Sequence, residues 1–334
     1  MLDDKLTPQQ YLQSIRLAVW QSHAIAAATK LGLADTLAKA PLPLADIATQ
    51  TQTDAPSLYR LLRALVSVGF FTETSPNVFG NTVYSDCLRR DGAGSQRAWA
   101  LTNFSDMDGW LKAWDALADA VRTGEAAFDK VHGCGLWEFG RRHPATATRF
   151  NDSMRAASEI ITPIIAAAYD WGRFPVVADI AGGVGTQLVA ILERFPDVTG
   201  ILFDQPHVEA EAAPHARIKF VGGDFFAAVP AGADAYLLRW IMHDWPDRKA
   251  LDLLRSVRRS MKPTARLVLA DAVVSPGSEY DFGKWGDLLM LVLLAGKERT
   301  EEEFRSLLAG AGFTLDEVVE TGCQLKLLVA SPIL

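Results

Sequence analysis

The stretch VVADIAGGVG, Val176–Gly185, decides how this chain is read. A β-branched run ends at Asp179, passes through Gly182, Gly183 and Gly185, and continues into "TQLVAILERF", whose apolar residues recur at helical spacing. Strand, glycine turn and helix make the first unit of an open parallel sheet. Toward the C-terminus the alternation repeats in "TGILFD", a helix, "IKFVGGD", "AYLLRW", a helix from about Asp247 to Met261, and "ARLVLADAVV". The ending departs from it: "FTLDEVVETG" and "QLKLLVAS" are joined too closely for a helical crossover and predict an antiparallel pair. Residues 171–334 are therefore expected to form a Rossmann-like α/β domain, a doubly wound and mostly parallel sheet with a terminal antiparallel hairpin.

Toward the N-terminus the pattern turns helical. Between Thr7 and Ala38, Leu12, Ile15, Val19, Ala26 and Leu33 keep helical spacing, with Gly32 near the end of the first long helix. "LADIATQT" gives a short helix, and "DAPSLYRLLRALVSVG" starts at Asp54 as its N-cap and stops at Gly69. "FFTETSPNVFGNT" reads as two short strands around a Ser-Pro-Asn turn. Helix, helix and β-wing is the order of a winged helix, expected over 1–98. Between Met1 and Arg90, however, cationic residues outnumber anionic ones by only one, and Arg60 and Arg63 sit among Leu58, Leu61, Leu62, Leu65, Val66 and Val68. No nucleic-acid partner is expected from such a surface. The intervening segment, 99–170, carries Trp99, Phe104, Trp110, Trp114, Phe128, Trp137, Phe139 and Phe150 on helical stretches, the make-up of core, subunit interface and part of a pocket wall.

Composition agrees with this layout. A chain of 334 residues, 49% hydrophobic and 22% charged, is long enough for two domains with deep cores and excludes disordered and disulfide-scaffold classes. A net charge of -7 offers no basic field for a phosphate backbone, which favours a small-molecule partner. Cys87, Cys134 and Cys323 are widely spaced and read as reduced thiols without a zinc site. The polar N-terminus MLDDKLTPQQ and the lack of any apolar run approaching the ~20 residues of a membrane span lead to the expectation of a cytoplasmic protein away from membranes.

Chemistry is expected where the strands end. The glycine turn lets a ligand approach the backbone, and the helix behind it presents free N–H groups. A dinucleotide GxGxxG starting at Gly183 would need its third glycine at Leu188, so a cofactor lacking pyrophosphate suits the turn better. Asp204, closing "ILFD", is placed to accept both hydroxyls of a ribose, or else simply shapes the turn before Pro206. Asp224 in "GGDFF" sets a second acceptor along the same edge, with Phe225 and Phe226 able to cover a flat base. Together these strand ends describe a nucleoside site. Among the histidines, His23, His132, His143, His207 and His215 read as structural, whereas His243 in "LLRWIMHDWPDRKA" follows a strand on the ligand side, where a near-neutral base is useful.

"DIAGGVG", "FDQP", "GGDFF", "LRWIMHDWPD" and "GKERTEEEFRSLLAGAGF", in this order and spacing, resemble the S-adenosylmethionine-dependent small-molecule O-methyltransferases, the plant caffeate and hydroxyindole type with bacterial antibiotic-tailoring relatives. The resemblance covers nearly the whole chain, because that family also has an N-terminal winged-helix-like dimerisation domain. It implies S-adenosyl-L-methionine held by Asp179, Gly182, Gly183, Gly185, Asp204, Asp224, Phe225, Arg239 and Trp245. It implies His243 as general base, Glu298 of "GKERT" as the group that orients it, and Asp271 where plant members carry a second glutamate. Phe150, Met154, Asp244 and Met290 would line the acceptor cavity, no metal would take part, and the partners would be a small hydroxyaromatic acceptor and a second copy bound through the N-terminal domain. Ala181 departs from the family's first loop glycine, and Asp271 is shorter than the glutamate it replaces. Two other readings are a relative that binds the cofactor but hydroxylates, decarboxylates or runs pericyclic chemistry, and a winged-helix ligand-sensing regulator.

Overall fold

The computed structural model describes residues 6–92, 94–105, 109–212 and 214–334. The chain divides into two compact units, residues up to Lys112 with Trp137–Glu159, and Ala113–Leu136 with Ile160–Leu334. The expected connecting segment 99–170 is thus shared between them, and its long helix Pro144–Ala168 contributes residues to both.

In the first unit, α1 (Pro8–Lys30) opens on a capping box in which the Thr7 hydroxyl accepts the Gln10 N–H and the Gln10 side chain accepts the Thr7 N–H. The helix stops before Gly32, whose left-handed φ of 70° starts the short turn Leu33–Thr36, so the continuous apolar spacing from Thr7 to Ala38 covers two pieces. α2 (Leu44–Thr51) and α3 (Ala55–Ser67, capped by Asp54) follow. The wing is a three-stranded sheet in the order β1 (Leu42–Pro43), β3 (Val78–Asn81), β2 (Phe71–Ser75), turned through Asn77 at a φ of 60°. Leu58, Leu62 and Leu65 of α3 are buried with Ile47, Phe71 and Phe79, while Arg60 and Arg63 are exposed. Along α1, Leu12, Leu17 and Trp20 face outward with 68%, 48% and 56% of their surface exposed.

The second unit is built on a seven-stranded sheet in the order β11-β12-β8-β7-β4-β5-β6, from β4 (Val176–Ile180), β5 (Thr199–Asp204), β6 (Ile218–Gly222), β7 (Ala235–Arg239), β8 (Arg266–Asp271), β11 (Phe313–Glu320) and β12 (Lys326–Pro332). β4 to β8 are mutually parallel and the terminal hairpin runs antiparallel beside β8, as the short joint at Thr321–Leu325 requires. Two apolar layers cover the sheet, one around Leu253, Leu254 and Phe304, the other around Ile165, Trp171 and Ile191, which is why the inner strands read as continuous apolar runs. One expectation fails: the connection from β5 to β6 holds a six-residue 3-10 turn, Pro206–Glu211, in place of a full helix. Pro206 and Pro214 bracket too short a segment to wind further. A small parallel pair, β9 (Val273–Val274) with β10 (Arg299–Thr300), lies beside the main sheet. Among the described residues no helix is long and apolar enough to cross a membrane.

The strand order fixes where a ligand can sit. From β4 the chain moves outward through β5 to β6, then returns to place β7 and β8 on the other side of β4. The loops leaving β4 and β7 therefore diverge above neighbouring strands, and a crevice forms at such a switch point.

Candidate active site

The loop after β4 is made mostly of backbone. Ala181 N–H donates to the Phe203 carbonyl at 2.7 Å, and Gly183 N–H donates to Asp204 Oδ2 at 2.8 Å. A Cβ on Gly182 would lie 2.6 Å from both Asp179 Cγ and Leu202 Cδ1, so only glycine fits there. Asp179 is buried beneath the turn with its Oδ2 unpaired; burial pushes its carboxyl up to about 7, against the pull of the Arg239 charge. Gly185 is left-handed, at a φ of 87°, and starts the helix Thr186–Arg194. Asp204 joins three strand ends: its side chain holds Gly183, its own Oδ1 takes the Gln205 N–H at 2.7 Å, and its carbonyl takes the Gly223 N–H at 2.9 Å. Asp224 caps its own turn through the Phe226 N–H at 2.9 Å. Phe225, Phe226 and Trp245 pack edge to face, with centroids 4.8 to 6.1 Å apart, and the Trp245 indole N–H has no partner. A backbone turn without side chains, two carboxylates and an aromatic wall with a free donor make a cradle suited to a nucleoside carrying an amino-acid tail.

The loop after β7 is made of buried charge. Trp240 holds a left-handed φ of 56°, a strained state for a bulky residue, and the 3-10 turn Met242–Asp244 follows directly. His243 Nδ1 lies 2.8 Å from Glu298 Oε1, and its Nε2 lies 3.4 Å from Asp244 Oδ1. Asp271 ends β8, and the pairing of Val273 with Arg299 brings it to the same edge as Glu298. One ligand atom each of His243, Asp271 and Glu298 falls within 4.8 Å of the others. Burial pulls the His243 imidazole down, but its hydrogen bond to Glu298 and the charges of Asp244, Glu298 and Asp271 outweigh it and raise it to about 9. Burial raises Asp271 to about 8 and Asp244 to about 6, in both cases against the opposing charge of His243. Both Asp271 oxygens are buried without a partner, as suits a carboxyl that keeps its proton.

Residues 114–314 match the O-methyltransferase domain model and residues 14–91 match the O-methyltransferase dimerisation domain model. The chain belongs to the S-adenosylmethionine-dependent O-methyltransferases. It is 40% identical over 321 residues to the phenazine O-methyltransferase of Lysobacter antibioticus, covering 94% of this chain and 93% of that one. It is 35% identical to the 8-amino-8-demethylriboflavin N,N-dimethyltransferase of Streptomyces davaonensis, covering 92% and 91%. The crystal structure of human N-acetylserotonin methyltransferase in complex with S-adenosylmethionine superposes with a TM-score of 0.88 at 25% identity, over the whole of both chains. The methyltransferase acts on small molecules, with S-adenosyl-L-methionine as cofactor, and its cradle after β4 and β5 fits that group.

Other residues marked from the sequence of the methyltransferase fall as follows. Arg239 closes β7 two residues beyond Leu237, the partner of Asp179 in the sheet, and its guanidinium lies 5.4 Å from the Trp240 ring. Met290 is buried on α4 (Phe282–Leu293), one turn beyond Gly286, whose Cβ position is 3.1 Å from Glu298 Oε1. Helices Leu117–Thr123 and Ala127–His132 pack against α4 in the same unit. Phe150 belongs to the first unit, packed between Trp110 and Trp137 at 5.5 and 5.9 Å, and Met154 on the same helix is 38% exposed. Two residues with no role assigned from the sequence also shape the cluster. Arg299 is wholly buried beside Glu298, and at Gly296 any Cβ would run into the His243 carbonyl. The phrase "GKERT" contains both, but the burial of Arg299 depends on contacts more than fifty residues away.

Proposed function

We propose that this methyltransferase transfers a methyl group to the hydroxyl of a flat aromatic acceptor, with His243 as general base, Glu298 as its orienting partner and no metal. The observation that carries the reading is the 2.8 Å contact of His243 Nδ1 with Glu298. It fixes the tautomer with the proton on Nδ1 and leaves Nε2 as the basic nitrogen. S-adenosyl-L-methionine, when bound, supplies an electrophilic sulfonium methyl. A phenol, with a pKa of about 10, is a poor nucleophile until its proton leaves. An imidazole raised to about 9 approaches the basicity of the phenolate and acts through its neutral fraction, which grows as pH rises toward 9; Glu298 then faces the imidazolium. Asp204 and Asp224 would hold ribose and adenine, Phe225 and Trp245 would cover the base, and Gly182 to Gly185 would receive the amino-acid portion, with Asp179 and Arg239 supporting the turn from beneath.

The donors at His243, Asp271 and Glu298 are spaced closely enough for a cation, but their chemistry favours a proton. Glu298 is committed to His243 Nδ1 and Asp271 is neutral at pH 7, so the cluster offers a cation little net negative charge. Turnover unaffected by a strong chelator would agree; loss on chelation with recovery on adding a divalent ion would sink the metal-free reading. The acceptor is tested with a panel of phenols, hydroxylated polycyclic aromatics and matching anilines, and preference for the anilines would replace oxygen by nitrogen as the acceptor atom. Asp244 and Met290, both of the second unit, are proposed to line the acceptor site.

We further propose an obligate homodimer through the N-terminal domain. Leu12, Ile15 and Val19 lie along one side of α1, with Leu17 and Trp20 also exposed, apolar surface that a lone subunit would leave in water. Light scattering decides this: an active monomer at micromolar concentration refutes it.

A further inference from the structure

We infer that Arg299 is a positioning residue: its guanidinium ties the turn that carries His243 to the segment that carries Glu298, immediately before β10, and so sets the hydrogen bond between them. The inference rests on the His243–Glu298 reading above and extends it.

Arg299 has none of its surface exposed. A guanidinium has five N–H donors, and here each finds an acceptor. Nη1 donates to the Met242 carbonyl at 2.8 Å and to the Lys297 carbonyl at 3.3 Å. Nη2 donates to the Trp245 carbonyl at 2.8 Å and to Asp247 Oδ1 at 2.9 Å, and Nε donates to the same Asp247 oxygen at 3.0 Å. The carbonyls of Met242 and Trp245 bracket His243 and Asp244. The grip is therefore on the main chain immediately before and after the base.

Neighbouring side chains on an extended strand point to opposite sides. Glu298 reaches the imidazole of His243 while Arg299, the next residue, holds the backbone of the same turn. Gly296 lets the chain cross that close, since a Cβ there would also lie 2.7 Å from the Asp244 carbonyl carbon. From the other side, Asp287 Oδ1 accepts the Glu298 N–H at 3.1 Å. A buried cation is costly to desolvate, and an apolar residue would fill the same space more cheaply. What an apolar residue cannot do is hold three carbonyls and a carboxylate at once. Lysine cannot either, because its ammonium is a point donor at the end of a flexible stem.

Three readouts test this on the full-length enzyme. Arg299→Lys should lower kcat by about 10- to 100-fold, the scale of a base displaced by an ångström or less, with S-adenosylhomocysteine affinity within about twofold. The midpoint of the kcat–pH profile should fall, because the imidazole loses part of the Glu298 contact that raises it. In a Glu298→Gln background the same change should cost no more than about two- to threefold, since the contact it serves is already gone. Unchanged kcat and pH midpoint in a folded Arg299→Lys protein overturn the inference. So does a full multiplicative loss in the double variant, which marks general structural support. If Arg299→Lys does not fold, Asp247→Ala gives the same three readouts at a smaller loss, because the Asp247 side chain is 61% exposed and the fold tolerates its removal. His243→Ala separates the two levels: retained turnover there rejects the base itself, whereas an inactive His243→Ala beside a normal Arg299→Lys rejects only the positioning role.

Discussion

The loops after β4 and β7 leave adjacent strands of one sheet and are built by opposite means. Around Gly182 the main chain does the work, through N–H groups, left-handed turns and the absence of side chains. Around His243 the main chain is strained and held from outside, while buried side chains carry charge into the site. The difference follows from what each loop meets. On the proposed function, a cofactor common to a whole family would be met by a generic backbone cradle, whereas proton transfer would need one nitrogen at one place with one basicity. The first loop should therefore tolerate side-chain chemistry but not side-chain bulk, and the second the reverse.

The largest effect is expected from His243→Ala. Loss of a general base costs about 10²- to 10⁴-fold in turnover, while calorimetry with S-adenosylhomocysteine should show binding close to that of the unaltered protein. Near-full turnover at neutral pH would erase the distinction between the two loops. Asp204→Ala probes the other loop and should weaken cofactor binding by about 1–3 kcal/mol, the scale of charged hydrogen bonds lost together with the anchor for Gly183. An unchanged dissociation constant would remove Asp204 from the cradle. Between the carboxylates of the second loop, Glu298→Gln should be severe and Asp271→Asn mild at pH 7, because Asp271 carries a proton there and makes no hydrogen bond to the imidazole. Equal losses would show that the two carboxyls act as one unit.

The cradle was far more legible in the sequence than the charged cluster. Glycines, strand-ending aspartates and alternating apolar runs are local signals, and from them the sheet, its terminal hairpin and the edge carrying Asp179, Asp204 and Asp224 follow directly. The missing helix after β5 shows the limit of that reading, since the prolines at 206 and 214 are a local signal outweighed by the expectation of regular alternation. Glu298 has no local signal at all. It lies 55 residues from His243, and only the resemblance carried by "GKERT" pointed to it. Arg299 was illegible because an arginine looks exposed until the fold supplies five acceptors for it.

Charge in the second loop should also appear in the pH dependence. His243 sits at about 9 in the fold against 6.5 for a free imidazole, so the folded state binds its proton more tightly. The stability gained in this way is complete below about pH 6.5 and is lost as pH rises through about 9. Asp271, raised from 3.8 to about 8, acts in the same sense over a lower window. The melting temperature of the cofactor-free enzyme should thus fall between pH 6.5 and 9 while turnover rises over the same range, as the base form of His243 becomes populated. In His243→Ala the decline should shrink. If stability and activity rise together with pH, the imidazole is not held in its protonated form.

The smallest effect tests the backbone loop on its own terms. Ala181 holds a left-handed φ of 57° at the first position of the turn, where a Cβ is crowded by the following carbonyl at a cost of about 1–2 kcal/mol. Ala181→Gly removes that strain, but glycine also loosens the unfolded chain, returning about 0.4–1 kcal/mol. The net expectation is a gain of up to about 1 kcal/mol in unfolding free energy, read from chemical denaturation, with cofactor affinity within about twofold. The Ala181 N–H to the Phe203 carbonyl survives the change, so the turn keeps its anchor. Gly182→Ala, one residue on, should behave oppositely and destabilise the protein, because its new Cβ would meet Asp179 and Leu202 at 2.6 Å. Two adjacent changes of one methyl group with opposite signs would isolate backbone geometry as what this loop requires. A loss of stability in Ala181→Gly would mean instead that the methyl group packs usefully, and that side chains matter in the cradle as they do around His243.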